Sequence, residues 1–205
     1  MQFYRRCILI TSVFAILSGC TSLKVPTTQQ PNAFQALPTQ QRIQTLLGIQ
    51  QWNIDGAFSV QYGQQVNIAN YAWQQIGSSY QIQIHSSLNI YSIKIQGQLG
   101  QVTLIEAQKQ PVSASSAEEL MQDRLGWSLP VSNLQYWIRG IPAPGDYQSQ
   151  VDVFGHLTQV TQQGWFVGFS NYTTVQSYDL PRTLLVQGHG LKIKIVIKNW
   201  NSVGA

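Results

Sequence analysis

Charged side chains are scarce in this chain of 205 residues, since Asp, Glu, Lys and Arg together make up only 10% of it. Twelve basic residues against eight acidic ones give a formal net charge of +4. Two of the basic residues, Arg5 and Arg6, stand near the N-terminus, so the remainder carries 10 against 8, a net charge of +2. Such a balance excludes the concentrated positive surface that nucleic-acid binding requires. We therefore expect no nucleic-acid partner.

The sequence also lacks an apolar run long enough to cross a bilayer, for which about 20 residues are needed. The N-terminal candidate, residues 7–17, follows the two arginines and is too short. A positive start and a short apolar stretch are typical of an export signal, so residues 1–19 are predicted to be a signal peptide. The stretch ends in Leu17-Ser18-Gly19-Cys20, which resembles the lipobox of bacterial lipoprotein precursors. The resemblance implies diacylglyceryl and acyl groups on Cys20; an ordinary cleaved signal with a chance cysteine is the alternative.

The residue after the lipobox bears on location. In Gram-negative lipoproteins an aspartate there commonly marks inner-membrane retention, and this chain has Thr21 instead. The resemblance therefore implies a protein anchored in the outer membrane and facing the periplasm. Two or more acyl chains hold a protein firmly, at about 0.8 kcal/mol per buried CH₂.

Cysteine is scarce as well, with two in the chain. Cys7 lies within the predicted signal peptide and Cys20 at its end, so the exported part has no disulfide and must be stabilised by its core. Residues 20–38, which contain three prolines, are predicted to be the lipidated cysteine and a flexible tether that spans roughly 25 Å. Residues 39–205 are predicted to form a single domain.

Alternation of apolar and polar residues with a period of two dominates this domain. Strands with one apolar and one polar face build antiparallel sheets. The apolar positions are Trp52, Ile54, Phe58, Val60 and Tyr62; Tyr80, Ile82 and Ile84; Tyr91, Ile93 and Ile95; Val151 and Val153; Trp165, Val167 and Phe169; and Leu191, Ile193, Ile195 and Ile197.

Helical patterns interrupt the strands. A short helix is predicted over residues 39–47 with Thr39 as its N-cap, a second from a capping box at Ser116 through Leu125, and a third over about 131–139. The predicted fold is therefore mainly β with a helical insertion. A long antiparallel sheet curls, and the helices are the natural cover for its concave apolar face.

Patterns typical of catalysis and metal binding are missing. No Gly-x-Ser-x-Gly motif occurs, and the three histidines show no metal-ligand spacing. Asp152 and Asp179 are isolated in the sequence, and nothing pairs them for acid–base chemistry. We therefore predict no catalytic residue, no metal, no enzymatic activity, and no cofactor other than the covalent acyl and diacylglyceryl groups on Cys20.

The aromatic content of 11% leaves two interpretations of the apolar face. It is either the packed core of the domain or the lining of a cavity for an apolar ligand. Periodicity does not separate them.

Several blocks together resemble the outer-membrane lipoprotein receptor family LolB. They are Gly56-Ala57-Phe58, Trp73-Gln74-Gln75, Ala117-Glu118-Glu119-Leu120-Met121, Leu129-Pro130 leading to Leu134-Gln135-Tyr136-Trp137-Ile138-Arg139-Gly140, Gln163-Gly164-Trp165, Leu180-Pro181 and Lys198-Asn199-Trp200. The resemblance implies an incomplete antiparallel β-barrel with an α-helical lid over an apolar cavity. It implies a monomeric receptor that accepts lipoproteins by their acyl chains from the soluble periplasmic carrier LolA. The receptor then inserts them among the phospholipids of the inner leaflet of the outer membrane.

The resemblance also implies site residues. The predicted cavity residues are Trp73, Trp137, Trp165 and Trp200, which match family tryptophans, with Ile93, Ile95, Ile193 and Ile195 on the expected concave face. Plain core packing remains open for each of them.

Two further positions follow from the resemblance. A family loop projects a leucine from a Pro-Leu-Gly turn and promotes membrane insertion; Leu88 matches that leucine, while Ser87 and Asn89 replace its neighbours. Arg139 either hydrogen-bonds across the cavity mouth or complements the macrodipole of a solvated helix end.

Three alternative functions are also open from the sequence. They are binding of another apolar ligand on the same sheet, a structural outer-membrane lipoprotein with a plain core, and an unrecognised hydrolase.

Overall fold

The domain consists of strands with three short helices, as the alternating pattern indicates. The computed structural model describes residues 34–86, 92–98, 100–126 and 128–204. Within these ranges the elements are α1 (Thr39–Leu47), β1 (Gln51–Tyr62), β2 (Gln65–Ile76), β3 (Ser79–Ser86), β4 (Ser92–Gln98), β5 (Gln101–Glu106), β6 (Val112–Ala114), α2 (Ala117–Leu125), α3 (Val131–Trp137), β7 (Gln148–Val151), β8 (Leu157–Gln162), β9 (Trp165–Ser170), β10 (Thr173–Val175), β11 (Tyr178–Leu180), β12 (Thr183–Gly188) and β13 (Leu191–Gly204).

Eleven of the strands form one antiparallel sheet in the order β6-β5-β4-β3-β2-β1-β13-β12-β9-β8-β7. In the part of the chain that the structure describes, the edge strands β6 and β7 do not pair with each other, so the barrel is incomplete. Strands β10 and β11 form a separate hairpin. No helix in the described ranges has both the length and the apolar character needed to cross a bilayer.

Helices α2 and α3 lie in the chain between the two edge strands and cover the inner face of the sheet. Leu120 of α2 and Leu134 and Trp137 of α3 belong to the same buried apolar cluster as the inward residues of the strands. This arrangement confirms the predicted fold class, an incomplete antiparallel barrel with a helical lid.

The inner and outer faces of the sheet alternate as predicted. On β13 the inward side chains are at most 5% exposed and the lysines between them are exposed. The inward set is Leu191, Ile193, Ile195 and Ile197, and the outward set is Lys192, Lys194 and Lys198. Removing apolar area from water on the inner face, at about 25 cal/mol per Å², drives the sheet to close around its core.

Two of the helices differ in detail from the prediction. Helix α1 has the predicted bounds, but Pro38 is its N-cap and Thr39 makes no capping bond. Helix α3 ends at Trp137, before the predicted Arg139, because the backbone turns there. The Gly140 N–H bonds to the Trp137 carbonyl at 2.8 Å, and Gly140 has a φ of +75°.

Helix α2 has the predicted cap and stop. The Ser116 hydroxyl accepts a hydrogen bond from the Glu119 N–H at 3.1 Å. The Glu119 carboxylate in turn accepts bonds from the N–H and hydroxyl of Ser115, at 3.0 and 2.6 Å, which hold the pKa of Glu119 below its usual value. Gly126, with a φ of +72°, ends the helix.

The end of the predicted tether is part of the domain. Phe34 packs edge-on against Phe154 and His156, with ring centroids 5.6 and 4.8 Å apart. The Leu37 N–H bonds to the Phe154 carbonyl at 3.2 Å. The approach requires Gly155, where a Cβ would lie 2.0 Å from the Leu37 oxygen. Phe34 and Leu37 therefore pack against the domain. Residues 1–33 lie outside the described part, so the signal peptide and the tether remain predictions.

A β-bulge shapes the central pair of strands. The register between β1 and β13 shifts between Asp55 and Gly56. A Cβ on Gly56 would lie 2.0 Å from the Val196 carbonyl oxygen and 3.1 Å from the Tyr71 ring. Only glycine fits at this position, which explains why Gly56 heads one of the family blocks.

We expect Gly56→Ala to lower the free energy of unfolding by about 1–3 kcal/mol, because the bulge must shift to admit a methyl group. Urea unfolding followed by tryptophan fluorescence measures the loss. Gly168→Ala, where the nearest atom to a new Cβ lies 3.6 Å away, is the matched control and should cost little. Equal effects of the two substitutions would contradict the assigned role of the bulge.

Candidate functional site

A cavity of about 370 Å³ lies between α2 and one end of the sheet. Ligand pockets in proteins range from about 300 to 1,000 Å³. Its wall from the sheet consists of Tyr62, Trp165, His189 and Leu191, and its wall from α2 and the loop after it consists of Glu118, Gln122, Gly126, Ser128 and Pro130. Tyr62, Trp165 and Leu191 give the cavity an apolar wall at the end of the concave face, and polar side chains supply most of the rest of its lining. These are Glu118, Gln122, Ser128 and His189.

The four predicted tryptophans occupy different environments. Trp165 lines the cavity, with its ring 5.0 Å from that of His189. Trp73 and Trp137 are 3% and 0% exposed in the core, where their indole N–H groups bond to glutamine side chains. Trp200 is half-buried and donates to the Pro181 carbonyl at 3.4 Å. The structure thus brings one of the four to the cavity.

The predicted isoleucines lie on the concave face. Ile193 and Ile195 are 1% and 5% exposed. Ile93 and Ile95 are half-buried and pack against the core cluster. None of them lines the cavity. They belong to, or pack against, the same core cluster as Leu120 of α2 and Trp137 of α3.

The two lid helices are attached differently. Helix α3 is joined to β8, since the Trp137 indole and the Ala143 N–H both bond to the Gln162 side-chain oxygen, at 3.3 and 3.1 Å. Helix α2 is joined to α3 by Glu118, whose carboxylate accepts bonds from the N–H and hydroxyl of Ser132, both at 2.9 Å. This carboxylate sits at the N-terminal end of α3, where the macrodipole favours negative charge.

Arg139 is buried, at 5% exposure, and does not line the cavity, so neither of its two predicted roles describes it. Its guanidinium donates to the carbonyls of Leu46 and Ile49, at 3.2 and 2.8 Å, just where α1 ends. It also lies 5.2 Å from the ring centres of Trp52 and Tyr136. Burial lowers the pKa of Arg139 to about 10, so it stays charged at neutral pH and holds the end of α3 against α1.

Three residues that look isolated in the sequence form a buried network. His156 is 0% exposed, and its Nδ1 lies 2.8 Å from Asp152 and its Nε2 3.2 Å from Asp179. Asp179 also accepts a bond from Arg42 at 2.8 Å, and Tyr172 stacks on the imidazole at 4.3 Å. The expectation that Asp152 and Asp179 stand apart is therefore wrong, because the fold brings both to one histidine.

This network connects the N-terminal segment to the domain. Arg42 of α1 donates to the carbonyls of Gln35 and Phe154, at 2.9 and 3.0 Å, as well as to Asp179. The two carboxylates bind opposite nitrogens of the ring and do not converge on one point. Across the described ranges, no group of three or more His, Cys, Asp or Glu side chains is placed to hold a metal ion.

The fold defines the chain as an open β-barrel in which helices cover an apolar trough, the class of architecture that encloses either a core or a small apolar ligand. Residues 50–200 match the family described as Outer membrane lipoprotein LolB. The chain is 51% identical over 196 residues to an outer-membrane lipoprotein LolB of Coxiella burnetii, covering 96% of this chain and 93% of the relative. It is 33% identical to the corresponding protein of Nitrosococcus oceani, over 98% of each chain.

The chain belongs to the LolB family of outer-membrane lipoproteins, which confirms the predicted family and location. A solved DUF1329 family protein from Desulfovibrio piger shares the fold at 11% identity, with a TM-score of 0.50 over 80% of this chain and 90% of that one. Cys20 and Leu88 lie outside the described residues, so lipid attachment and membrane insertion at these positions remain predictions.

The buried network makes the stability of the fold depend on pH. Burial by itself favours the neutral acid, but bonds from Thr174, His156 and Arg42 hold the pKa of Asp179 below its usual value. Such a group stabilises the fold above its unfolded-state pKa, and the contribution is lost as the pH falls through the lower folded-state pKa. The ionised Asp179 therefore contributes fully at neutral pH, and its contribution begins to fall below about pH 4.

We expect Asp179→Asn to lower the free energy of unfolding by about 3 kcal/mol at neutral pH, because it leaves buried Arg42 without its counter-charge. The gap between variant and wild type should narrow below about pH 4, as measured by urea unfolding across a pH series. Asp146→Asn, at an exposed position, is the control and should change neither value. A gap that stays constant with pH would contradict the ionised pair.

Proposed function

We propose that this protein accepts lipoproteins from the soluble periplasmic carrier LolA and inserts them into the inner leaflet of the outer membrane. The observation that carries the proposal is the cavity under α2 at the open end of an apolar trough, in a chain of the LolB family. Acyl chains of the cargo occupy the trough, and no covalent chemistry is involved. The lipid on Cys20 positions the receptor at the membrane.

The energetics of an acyl chain support this role. Exposing a chain costs about 0.8 kcal/mol per CH₂, so about 15 such groups cost on the order of 12 kcal/mol. A lipoprotein therefore needs an apolar shelter at every stage between the two membranes. Handover without an energy source requires that the receptor bind the chains more tightly than the carrier does, and the membrane more tightly still.

Helix α2 is the part of the lid that moves in this proposal. Its buried apolar side chains, Ala117 and Leu120, cost roughly 3 kcal/mol to expose, which is small beside the gain from burying an acyl chain. Displacing α2 would extend the cavity from Trp165 and Leu191 along the concave face to Ile193 and Ile195. Helix α3, held by Gln162 and Arg139, stays in place.

The remaining predicted residues fit the same scheme. Ile93 and Ile95 lie on the far half of the concave face, where a second acyl chain would rest. Trp73, Trp137 and Trp200 are assigned to the supporting wall behind it. Leu88 belongs to the step after acceptance, in which the chains pass into the bilayer.

The decisive experiment mixes carrier-bound lipoprotein with this protein and follows which of the two the lipoprotein stays with. We expect the lipoprotein to leave the carrier and, when vesicles are present, to appear in them. If it remains on the carrier, the receptor function is wrong. If this protein instead binds free fatty acid or glycolipid and leaves the lipoprotein untouched, the alternative of another apolar ligand is right.

We expect Gln122→Trp to reduce the acceptance of lipoprotein from the carrier about tenfold. An indole projecting from α2 into the cavity would take the space of about two methylene groups of an acyl chain. Gln122 is exposed and lines the cavity, so the variant should fold. Asp123→Trp, on the same helix but outside the cavity lining, is the matched control. Equal acceptance by both variants would show that the cavity does not hold the chains.

We expect Leu88→Glu to leave acceptance from the carrier unchanged and to slow release into vesicles, because a carboxylate at that position resists entry into the apolar interior. The same transfer experiment measures the two steps separately. Release at the wild-type rate would remove the role assigned to Leu88.

A further inference from the structure

Two aliphatic side chains are exposed side by side near the tip of the β1–β2 hairpin. Val66 and Ile68 are 59% and 64% exposed and, two residues apart, they point to the same outward face of β2. Single exposed aliphatics are ordinary on protein surfaces, but adjacent ones in a row form a patch that needs an explanation. We call Val66 and Ile68 together the hairpin patch.

Lysines lie beside the hairpin patch on the outward face. Gln61 pairs with Val66 on one side and with Lys192 on the other, and Ser59 pairs in the same way with Ile68 and Lys194. Each lysine is therefore two strands away, about 10 Å, and both are exposed. Residues 59–68 and 185–194, which form these two hairpin ends, contain no Asp or Glu. The outward surface of these two hairpin ends is therefore apolar and positive, and the nearby Glu118 lines the cavity on the inner face.

The hairpin patch and the cavity lie at the same end of the sheet. Tyr62 and Leu191, which end β1 and begin β13, line the cavity from the inner face. On the other side, β3 ends at Ser86, which pairs with Ala69, the neighbour of Ile68. Strand β3 therefore ends next to the hairpin patch, and Leu88 follows two residues later in the chain.

We propose that the hairpin patch with Lys192 and Lys194 contacts an anionic phospholipid surface and turns the open end of the cavity toward the membrane. The inference deepens the proposed function and rests on it. Aliphatic side chains enter the boundary between headgroups and acyl chains, and lysine ammonium groups reach lipid phosphates. A protein partner fits less well, because lysine is depleted and aromatic residues are enriched at protein–protein interfaces.

The proposed orientation removes the aqueous gap between the cavity and the membrane. Acyl chains that leave the cavity past Tyr62 would meet lipid at once and would not cross water, where each exposed CH₂ costs about 0.8 kcal/mol. The anchor keeps the protein on the membrane, and the hairpin patch selects which end faces it.

The test uses the full protein with its native anchor in vesicles. Ile68→Cys carries an environment-sensitive fluorophore, and the vesicles contain phosphatidylethanolamine, phosphatidylglycerol and a phospholipid with a nitroxide quencher. Ile76→Cys is the matched control, since Ile76 is 59% exposed on the outward face of the same strand at its opposite end. We expect a blue shift and quenching at position 68 and neither at position 76. Absence of quenching at 68, or equal quenching at both, would overturn the proposal.

The charge component is tested in the same labelled protein. Replacing both Lys192 and Lys194 with Gln should lower the ratio of molecules whose patch contacts the membrane to molecules whose patch does not. The expected loss is about fivefold for each lysine, or about 25-fold for the two. Lys198→Gln, on the outward face of the same strand but toward its other end, should leave the ratio unchanged. Phosphatidylcholine vesicles without anionic lipid should abolish the difference between the lysine variants. If the variant with both Lys192 and Lys194 replaced is quenched as strongly as the protein that keeps them, the assigned headgroup contact is wrong.

Failure of this inference is distinguishable from failure of the proposed function. If the wild-type protein accepts lipoprotein from the carrier while position 68 stays unquenched, only the membrane-contact surface is wrong. If position 68 is quenched but lipoprotein stays on the carrier, the surface is right and the receptor function is wrong. A blue shift at position 68 that grows with protein concentration and is not quenched by lipid would assign the patch to a second copy and overturn the proposal.

Discussion

The pairing of β1 with β13 is the constraint on which the rest of the structure depends. It joins strands from the two ends of the domain along their full length, from Gln51 with Gly204 to Tyr62 with Leu191. Without it the eleven-stranded sheet would separate into a half made of β1–β6 and a half made of β7–β9 with β12 and β13. The bulge at Gly56 is placed within this pair, where a kink turns both halves inward.

The trough that results is covered by two helices held with different strength. Helix α3 shares the core through Trp137 and is tied to β8 by Gln162 and to α1 by Arg139. Among the described side chains of α2, Ala117 and Leu120 are buried and Met121 packs against the core, and Glu118 contacts the start of α3. A helix held by fewer contacts, such as α2, can open while the barrel and α3 stay folded.

The buried polar groups of the domain position the chain. The network of Arg42, Asp179, His156 and Asp152 holds the segment from Phe34 to Leu37 against the β7–β8 turn. Buried ion pairs contribute little net stability but are costly to break, because the remaining charge is left without a partner. The segment from Phe34 to Leu37 is therefore fixed at the strand ends opposite the hairpin patch.

The sequence by itself determined the strands, the helices and the family. Period-two alternation is a local consequence of one wet and one dry face, and the cap at Ser116 is a contact between residues three apart. It did not determine that β13 lies beside β1, that Arg139 is buried, or that His156 meets two carboxylates. Those contacts join residues as far apart as Arg42 and Asp179, 137 positions along the chain, and no local pattern encodes them. Periodicity likewise specifies which side chains point inward but not whether a helix, a ligand or empty space meets them. Only the tertiary structure places α2 and α3 over that face, with a cavity at its end.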